Sequence, residues 1–391
     1  MRWSLLLLFS LYSALPISAE PVLILPFFGQ SPGANVDWIS ESFAHTIQEA
    51  LVARGMLVLD RDERETVYRR MSIRPNAQLT HASVIKIGEA LDASEVVFGT
   101  YELVPAEGTR GTLRITADVL DMKRMRRAVQ LVDSGPLEDL ASIQNRMAWK
   151  VLKELAPDRA PSQAEFLREQ PLVRLDAMEN YTRGLLAAND EQKHRYLTQA
   201  ARLDERFSEP SYELGRMHWQ KKDYRLAATW LARVKPNAPR YLEASFLLGL
   251  CRYYTSDFAG AQASFEVVVA SVPLNEVFNN LGAAQSRRNR PEALENFSKA
   301  LEGDTADPDY HFNVGVAQWK QSRFEQAAAS FRAVLDRDPE DAQATLLLGL
   351  CLSRSTPTAA DVSAGFERVK VNYEEGAYRQ LKAALEGLKK R

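Results

Sequence analysis

Apolar and polar positions change period several times along the first 160 residues. Residues 22–28 (VLILPFF) are continuously apolar, as a strand buried on both faces requires, and 29–35 (GQSPGAN) is loop by composition. Trp38, Ile39, Phe43, Ile47, Leu51 and Val52 then recur at helical spacing until Gly55 stops the helix. Residues 56–59 read as a second strand. Residues 66–71 and 83–91 read as helices, the second with Thr80 placed as its cap. Residues 95–104 and 113–120 read as strands, the latter alternating cleanly, 128–133 follows as another, and 136–155 is an amphipathic helix. Strands and helices in alternation, followed by a meander, predict an α/β unit with a mixed sheet.

The second half has a different order. Gly215, Gly249, Gly282, Gly315 and Gly349 are separated by 34, 33, 33 and 34 residues. Leu214, Leu248, Leu281 and Leu348 precede four of them, and Val314 the other. In phase behind three of these glycines come an aromatic (Tyr224, Phe258, Phe324), an alanine (Ala227, Ala261, Ala327) and a larger apolar residue (Leu231, Phe265, Phe331). After Gly282, Ala293 and Phe297 arrive one residue early. This is the tetratricopeptide signature: paired helices stacked into a solenoid, with glycine and alanine where the helices cross closely and proline after the second helix. A weaker unit is expected around Tyr181, Gly184, Leu197, Ala200 and Ala201. Beyond Gly349 the pattern fades, and a last helix is expected over 373–388. Capping helices over 359–391 follow from the need of a repeat array for polar ends.

At the N-terminus, Arg2, the apolar run 3–15 and Ala19 form a secretory signal with cleavage after residue 19. Thirteen helical residues span about 20 Å, short of the ~30 Å hydrocarbon core. The expected product is exported, periplasmic and without a transmembrane segment, with outer-membrane association left open. The expected organisation is a signal peptide at 1–19, an α/β domain at 20–157, a linker and lead-in helix at 158–176, a repeat array at 177–358 and the caps. The proline-rich linker APDRAPSQ should keep the two halves close without fixing them tightly.

Of 391 residues, 46% are hydrophobic and 26% charged, with a net charge of −2, so the chain is globular and no nucleic-acid binder. Two cysteines and five histidines, without metal-ligand spacing, leave no zinc site, and no cofactor is expected. Cys251 and Cys351 occupy equivalent positions three repeats apart, too far for a disulfide. No histidine has a serine or cysteine at catalytic spacing, so no enzyme is expected.

The first half resembles the TolB amino-terminal-like domain. The similarity is carried by Leu25-Pro26-Phe27, by Gly88 with Leu91 and Ala93, by Gly99, and by Ala117 with Asp121. It covers about 135 residues and implies a fold and a cell-envelope setting but no activity. The loop 29–33 lies where α/β folds bind phosphate, yet it lacks both GxxxxGK[ST] and GxGxxG. Lys123, Arg124, Arg126 and Arg127 read as a solvated hairpin turn, with Asp118, Asp121 and Asp133 nearby.

The expected function is a non-enzymatic scaffold that binds a protein or peptide on the concave face. The alternative is a ligand-sensing protein whose α/β domain binds a small anion or glycan. By resemblance, the inward positions lie six and three before each glycine and one, four and five after it. They place Tyr212, Arg216, Trp219, Phe246, Tyr253, Tyr254, Asn279, Arg287, Phe312, Trp319 and Lys320 in the groove. Seven aromatics on that face, without clustered Lys and Asn, point to an apolar or aromatic-bearing ligand. Helical spacing leaves open whether Trp219 and Trp319 face the groove or pack between repeats.

Overall fold

The computed structural model describes residues 20–30, 37–74, 77–105, 111–124, 126–170, 173–374, 376–378 and 381. The expected signal segment, most of the 31–36 loop and the end of the last expected helix lie outside these residues.

The N-terminal unit is a mixed sheet of β1 (Val22–Ile24), β2 (Phe28–Gly29), β3 (Glu95–Val104), β4 (Thr112–Asp121) and β5 (Arg126–Pro136). β1 and β2 both run parallel to β3, and β3, β4 and β5 form the antiparallel meander. The expected strand 22–28 is thus split in two. Pro26 has no N–H for the ladder, and the chain steps around it before β2 pairs again. Residues 56–59 contribute only a single bridge, Val22 to Val58. Helices α1 (Trp38–Val52), α2 (Arg61–Arg70), α3 (His81–Ala90) and α4 (Leu140–Leu155) cover the sheet. Asp60 opens α2 through a capping box with Glu63, and the Thr80 hydroxyl accepts from Ser83 N at 3.2 Å to open α3. The hairpin turn is closed by the Asp121 carboxylate, which accepts from the backbone of Lys123 and Arg124.

After α5 (Gln163–Glu169) the chain forms helix pairs. These are α6 (Leu175–Leu185) with α7 (Asp190–Leu203), α8 (Glu209–Gln220) with α9 (Tyr224–Leu231), and α10 (Tyr241–Tyr254) with α11 (Phe258–Ser271). They continue with α12 (Asn275–Arg287) and α13 (Ala293–Gly303), α14 (Pro308–Lys320) and α15 (Phe324–Leu335), then α16 (Ala342–Leu352) and the short α17 (Ala359–Ala364). The glycine ladder has a direct cause. A Cβ on Gly215 would stand 2.5 Å from Leu231, on Gly249 2.6 Å from Phe265, and on Gly282 and Gly315 2.8 Å from Phe297 and Phe331. Gly349 breaks the rule, with no atom within 4 Å of its added Cβ. The second helix that should cover it ends at Ala364, and Leu346 and Leu352 beside it are 55% and 63% exposed.

The two units are not loosely tethered. One apolar cluster runs from Phe43 and Ile47 of α1 through Met147 and Val151 of α4 and Phe166 of α5 to Tyr181, Phe207 and Leu214 of the first repeats. Phe166 is fully buried between the halves. The helix that directly follows the expected loose linker therefore supplies a core side chain, and the linker itself is held by polar contacts: Trp149 Nε1 donates to Pro161 O at 3.0 Å and Arg159 to Gly55 O at 3.0 Å.

The C-terminal segment also departs from expectation. The capping helices expected over 359–391 are present at Ala359–Ala364 and again at 376–378 and 381, but residues 365–374 between them are neither helix nor ladder strand, so the last helix begins after Tyr373. Gly365 turns the corner at φ +69°, where a Cβ would also collide with the Arg287 guanidinium. From there the chain enters the concave side of the solenoid.

Candidate functional site: the concave groove and its occupant

The first helices of successive pairs line the concave face, and residues 366–373 run along it from the α14 end toward α10. Three asparagines hold the backbone of this segment. Asn313 Nδ2 donates to Arg368 O at 2.7 Å while Arg368 N donates to Asn313 Oδ1 at 2.8 Å. Asn280 repeats the arrangement two residues on, with 2.7 Å both to Lys370 O and from Lys370 N. Asn279 donates to Arg368 O at 2.8 Å, and its own Oδ1 accepts from Asn313 at 2.7 Å. All three asparagines are fully buried. The two-residue step matches the side-chain period of an extended chain, in which alternate residues face opposite walls.

Those walls differ. On one side, Arg368 lies over the Phe312 ring at 3.6 Å and bonds Asp341 at 2.7 Å and Asp309 at 3.2 Å. Lys370 reaches Asp307 and Asp309, both at 2.7 Å. Asp307 and Asp341 also cap α14 and α16, so the acidic wall is set at helix N-termini by the same residues that start those helices. Burial opposes ionisation of Asp341, but its cap bond to the Ala344 amide and the Arg368 guanidinium hold its carboxyl below the usual range. On the other side, Glu367 bonds Lys320 and Ser286, both at 2.5 Å, with its side chain fully buried. Val369 packs into the apolar clusters around Phe246 and Phe297. Phe366 meets Trp319 edge-on at 6.0 Å, and Tyr373 meets Phe246 at 4.9 Å.

Six of the sequence-selected residues surround this segment: Phe246, Tyr253, Asn279, Phe312, Trp319 and Lys320. Arg287 grips its entry, donating to Ala364 O at 3.3 Å. Phe312 and Trp319 are fully buried, and Trp319 Nε1 donates to Ser355 O at 2.8 Å, so the face read as open is covered by the chain itself. Trp219 and Tyr254 stand apart, in an aromatic group with Tyr224, whose ring stacks on Tyr254 at 4.7 Å. Tyr212 and Arg216 face the α/β unit, and Arg216 bonds Asp62 of α2 at 2.7 Å.

The reading missed Asn280 and Asn313 because both lie two positions before a repeat glycine, a phase left out of the inward set. A helix face wide enough to line a groove takes in that position too. Asn280 and Asn313, 33 residues apart and in phase with Gly282 and Gly315, carried the signal. The expectation that Asn does not cluster here is corrected: beside its aromatics, the groove holds the backbone of 366–373 through amides and its bases through carboxylates.

Where the segment ends, a cavity of about 850 Å³ opens between the units, lined by Asp62, Arg70, Tyr212, Arg216, Trp219 and Tyr373 among others. A smaller one of about 120 Å³ lies deeper at the junction. There burial, with the Glu49 charge next to it, raises the Glu209 carboxyl to about 8. Burial also works against ionisation of Glu213, but Arg216, Lys193 and Arg240 outweigh it and hold Glu213 below the usual range. Cys251 and Cys351 are buried free thiols. Among the described residues no cluster of His, Cys, Asp and Glu is suited to a metal ion, and no helix is long and apolar enough to cross a membrane.

Comparison with known proteins agrees with the repeat reading. The tetratricopeptide repeat family matches residues 194–241 and 315–360. No curated protein matches the chain. Among solved structures, a MamA protein is 17% identical over 47% of this chain and 92% of its own, with a TM-score of 0.36. YrrB, described as a TPR protein with an unusual peptide-binding site, is 18% identical over 49% and 91%, TM-score 0.36. MamA residues 41 to the end from Desulfovibrio magneticus RS-1 is 24% identical over 44% and 99%, TM-score 0.38. The stretches 194–241 and 315–360 are tetratricopeptide repeats, and the helix pairs between them keep the same glycine-ladder packing.

Proposed function

We propose that this chain is a non-enzymatic scaffold of the bacterial cell envelope that holds an extended segment of a partner protein in its concave groove. The observation that carries the reading is the grip of Asn279, Asn280 and Asn313 on extended backbone, which pairs the N–H and C=O of alternate residues. Such contacts select extended conformation rather than one sequence. The carboxylates of Asp307, Asp309 and Asp341 and the ammonium of Lys320 add the choice of side chain. Export rests on Arg2, the apolar run and Ala19, and the envelope setting on the resemblance of the first half to the TolB amino-terminal-like domain.

The test is crosslinking in intact cells. A photoreactive residue placed at Trp219, Tyr254 or Arg287 should trap a distinct protein, and the same residue at Glu266 on the second helix α11 should not. Equal trapping from both faces, or none from the groove, would remove the reading.

A further inference from the structure

We propose that residues 365–374 are a built-in competitor for the groove, and that the partner segment displacing them has the same chemistry. The inference rests on the reading of the concave face as a peptide groove. It adds the class of peptide recognised and the step that regulates its entry.

The segment is seated as a ligand rather than as a cap. A cap would cover the apolar end of the last pair, yet Leu346 and Leu352 there stay exposed while the chain runs back along three earlier first helices, α14, α12 and α10. Its contacts are those of a bound peptide: paired amides on its backbone, an arginine between an aromatic ring and the Asp309 and Asp341 carboxylates, a lysine between Asp307 and the shared Asp309, and a glutamate on Lys320. Each position reads a distinct group. An aromatic at Phe366 meets Trp319, and an acid at Glu367 meets Lys320 and Ser286. Bases at Arg368 and Lys370 meet the acidic wall, and an aliphatic residue at Val369 fills the gap between them on the opposite side. The groove therefore takes an extended peptide of the form aromatic, acid, base, aliphatic, base.

Displacement is built in as well. The segment is joined to the array through the six-residue α17 and the Gly365 corner, so its release needs no repeat to unfold. The cavity beyond Tyr373 leaves the far end of the groove open for a partner's first contact. A tethered segment acts at an effective concentration of about millimolar order, so an untethered peptide of equal contacts is outcompeted until it adds contacts of its own. If the segment occupies the groove 99% of the time, the apparent affinity of any partner falls about 100-fold.

The probe is a fluorescent synthetic peptide of residues 365–374, titrated into the full chain and into Arg368→Glu/Lys370→Glu, which repels the resident segment from the acidic wall and leaves the groove unaltered. The double variant should bind the peptide at least tenfold more tightly than the parent chain, and adding Asn280→Ala/Asn313→Ala should abolish the gain. Equal affinity for parent and variant overturns the competitor, while groove-specific crosslinking in cells would still stand. No binding to a folded double variant overturns the peptide chemistry too. A second measurement avoids the variants altogether: in the unmodified chain, saturating peptide should accelerate hydrogen exchange of the Arg368 and Lys370 amides. Unchanged protection overturns displacement, and a parent dimer dissociated by the peptide would place the segment in a second copy and overturn the intramolecular competitor.

Discussion

Replacing Asn313 by alanine isolates the backbone grip. The change removes two hydrogen bonds to Arg368, at 2.7 and 2.8 Å, and the 2.7 Å bond that orients Asn279. Arg368 O keeps its bond from Asn279, whereas Arg368 N–H loses its acceptor in a half-buried site. A net bond contributes about 0.5–1.5 kcal/mol, and a stranded buried donor costs about 1–3 kcal/mol. The local loss is then about 2–3 kcal/mol, which at tenfold per 1.4 kcal/mol opens the segment roughly 30- to 150-fold more often. Amide hydrogen exchange read residue by residue is the assay. Protection at Arg368 and Lys370 should fall by that factor, while the core amides of α10 to α15 keep theirs. If the whole array loses protection in proportion, Asn313 is a core residue and the grip is incidental. If Arg368 is unaffected, the segment is held by its side chains alone.

Three further outcomes are expected. Gly249→Ala drives a Cβ to 2.6 Å from Phe265 and should cost about 1–3 kcal/mol in urea unfolding, whereas Gly349→Ala meets nothing and should stabilise by about 0.5–1 kcal/mol through helix propensity. The Glu209 carboxyl, raised from 4.5 to about 8, binds a proton in the folded chain that the unfolded chain has released, so folded stability falls as pH rises through that window. Glu209→Gln should match the parent near pH 4, melt progressively higher than it up to pH 8, and hold a constant advantage beyond; parallel melting curves across the window would refute the junction electrostatics. Mass spectrometry of the protein from its own host should find a chain beginning at Glu20, and a membrane-embedded chain retaining Met1 would refute export.

The repeats are legible in sequence because their packing forbids alternatives. Glycine recurs where Leu231, Phe265, Phe297 or Phe331 fills the space of a Cβ, and no other residue fits without movement. The mixed sheet is legible from alternation, although Pro26 cuts its first strand and the Val58 strand shrinks to one bridge. Three features are hidden. Composition marks 156–163 as a linker, but the decisive residue is Phe166, whose burial depends on contacts from both halves. Aromatics such as Phe312 and Trp319 read as an open face because their cover, residues 365–374, is remote in sequence. That cover itself alternates charged and apolar positions from Arg368 to Val371, a strand-like period taken for a decaying repeat. Pairing between distant segments leaves little trace in the local period of either.

The account turns on the concave face. The most direct measurement is hydrogen exchange across the full chain, alone and saturated with the protein captured by crosslinking. Slower exchange along α10, α12 and α14 around Phe246, Asn279 and Asn313, with faster exchange at Arg368 and Lys370, is the predicted result. Changes confined to the second helices or to the α/β sheet, with Arg368 and Lys370 as protected as before, would contradict it.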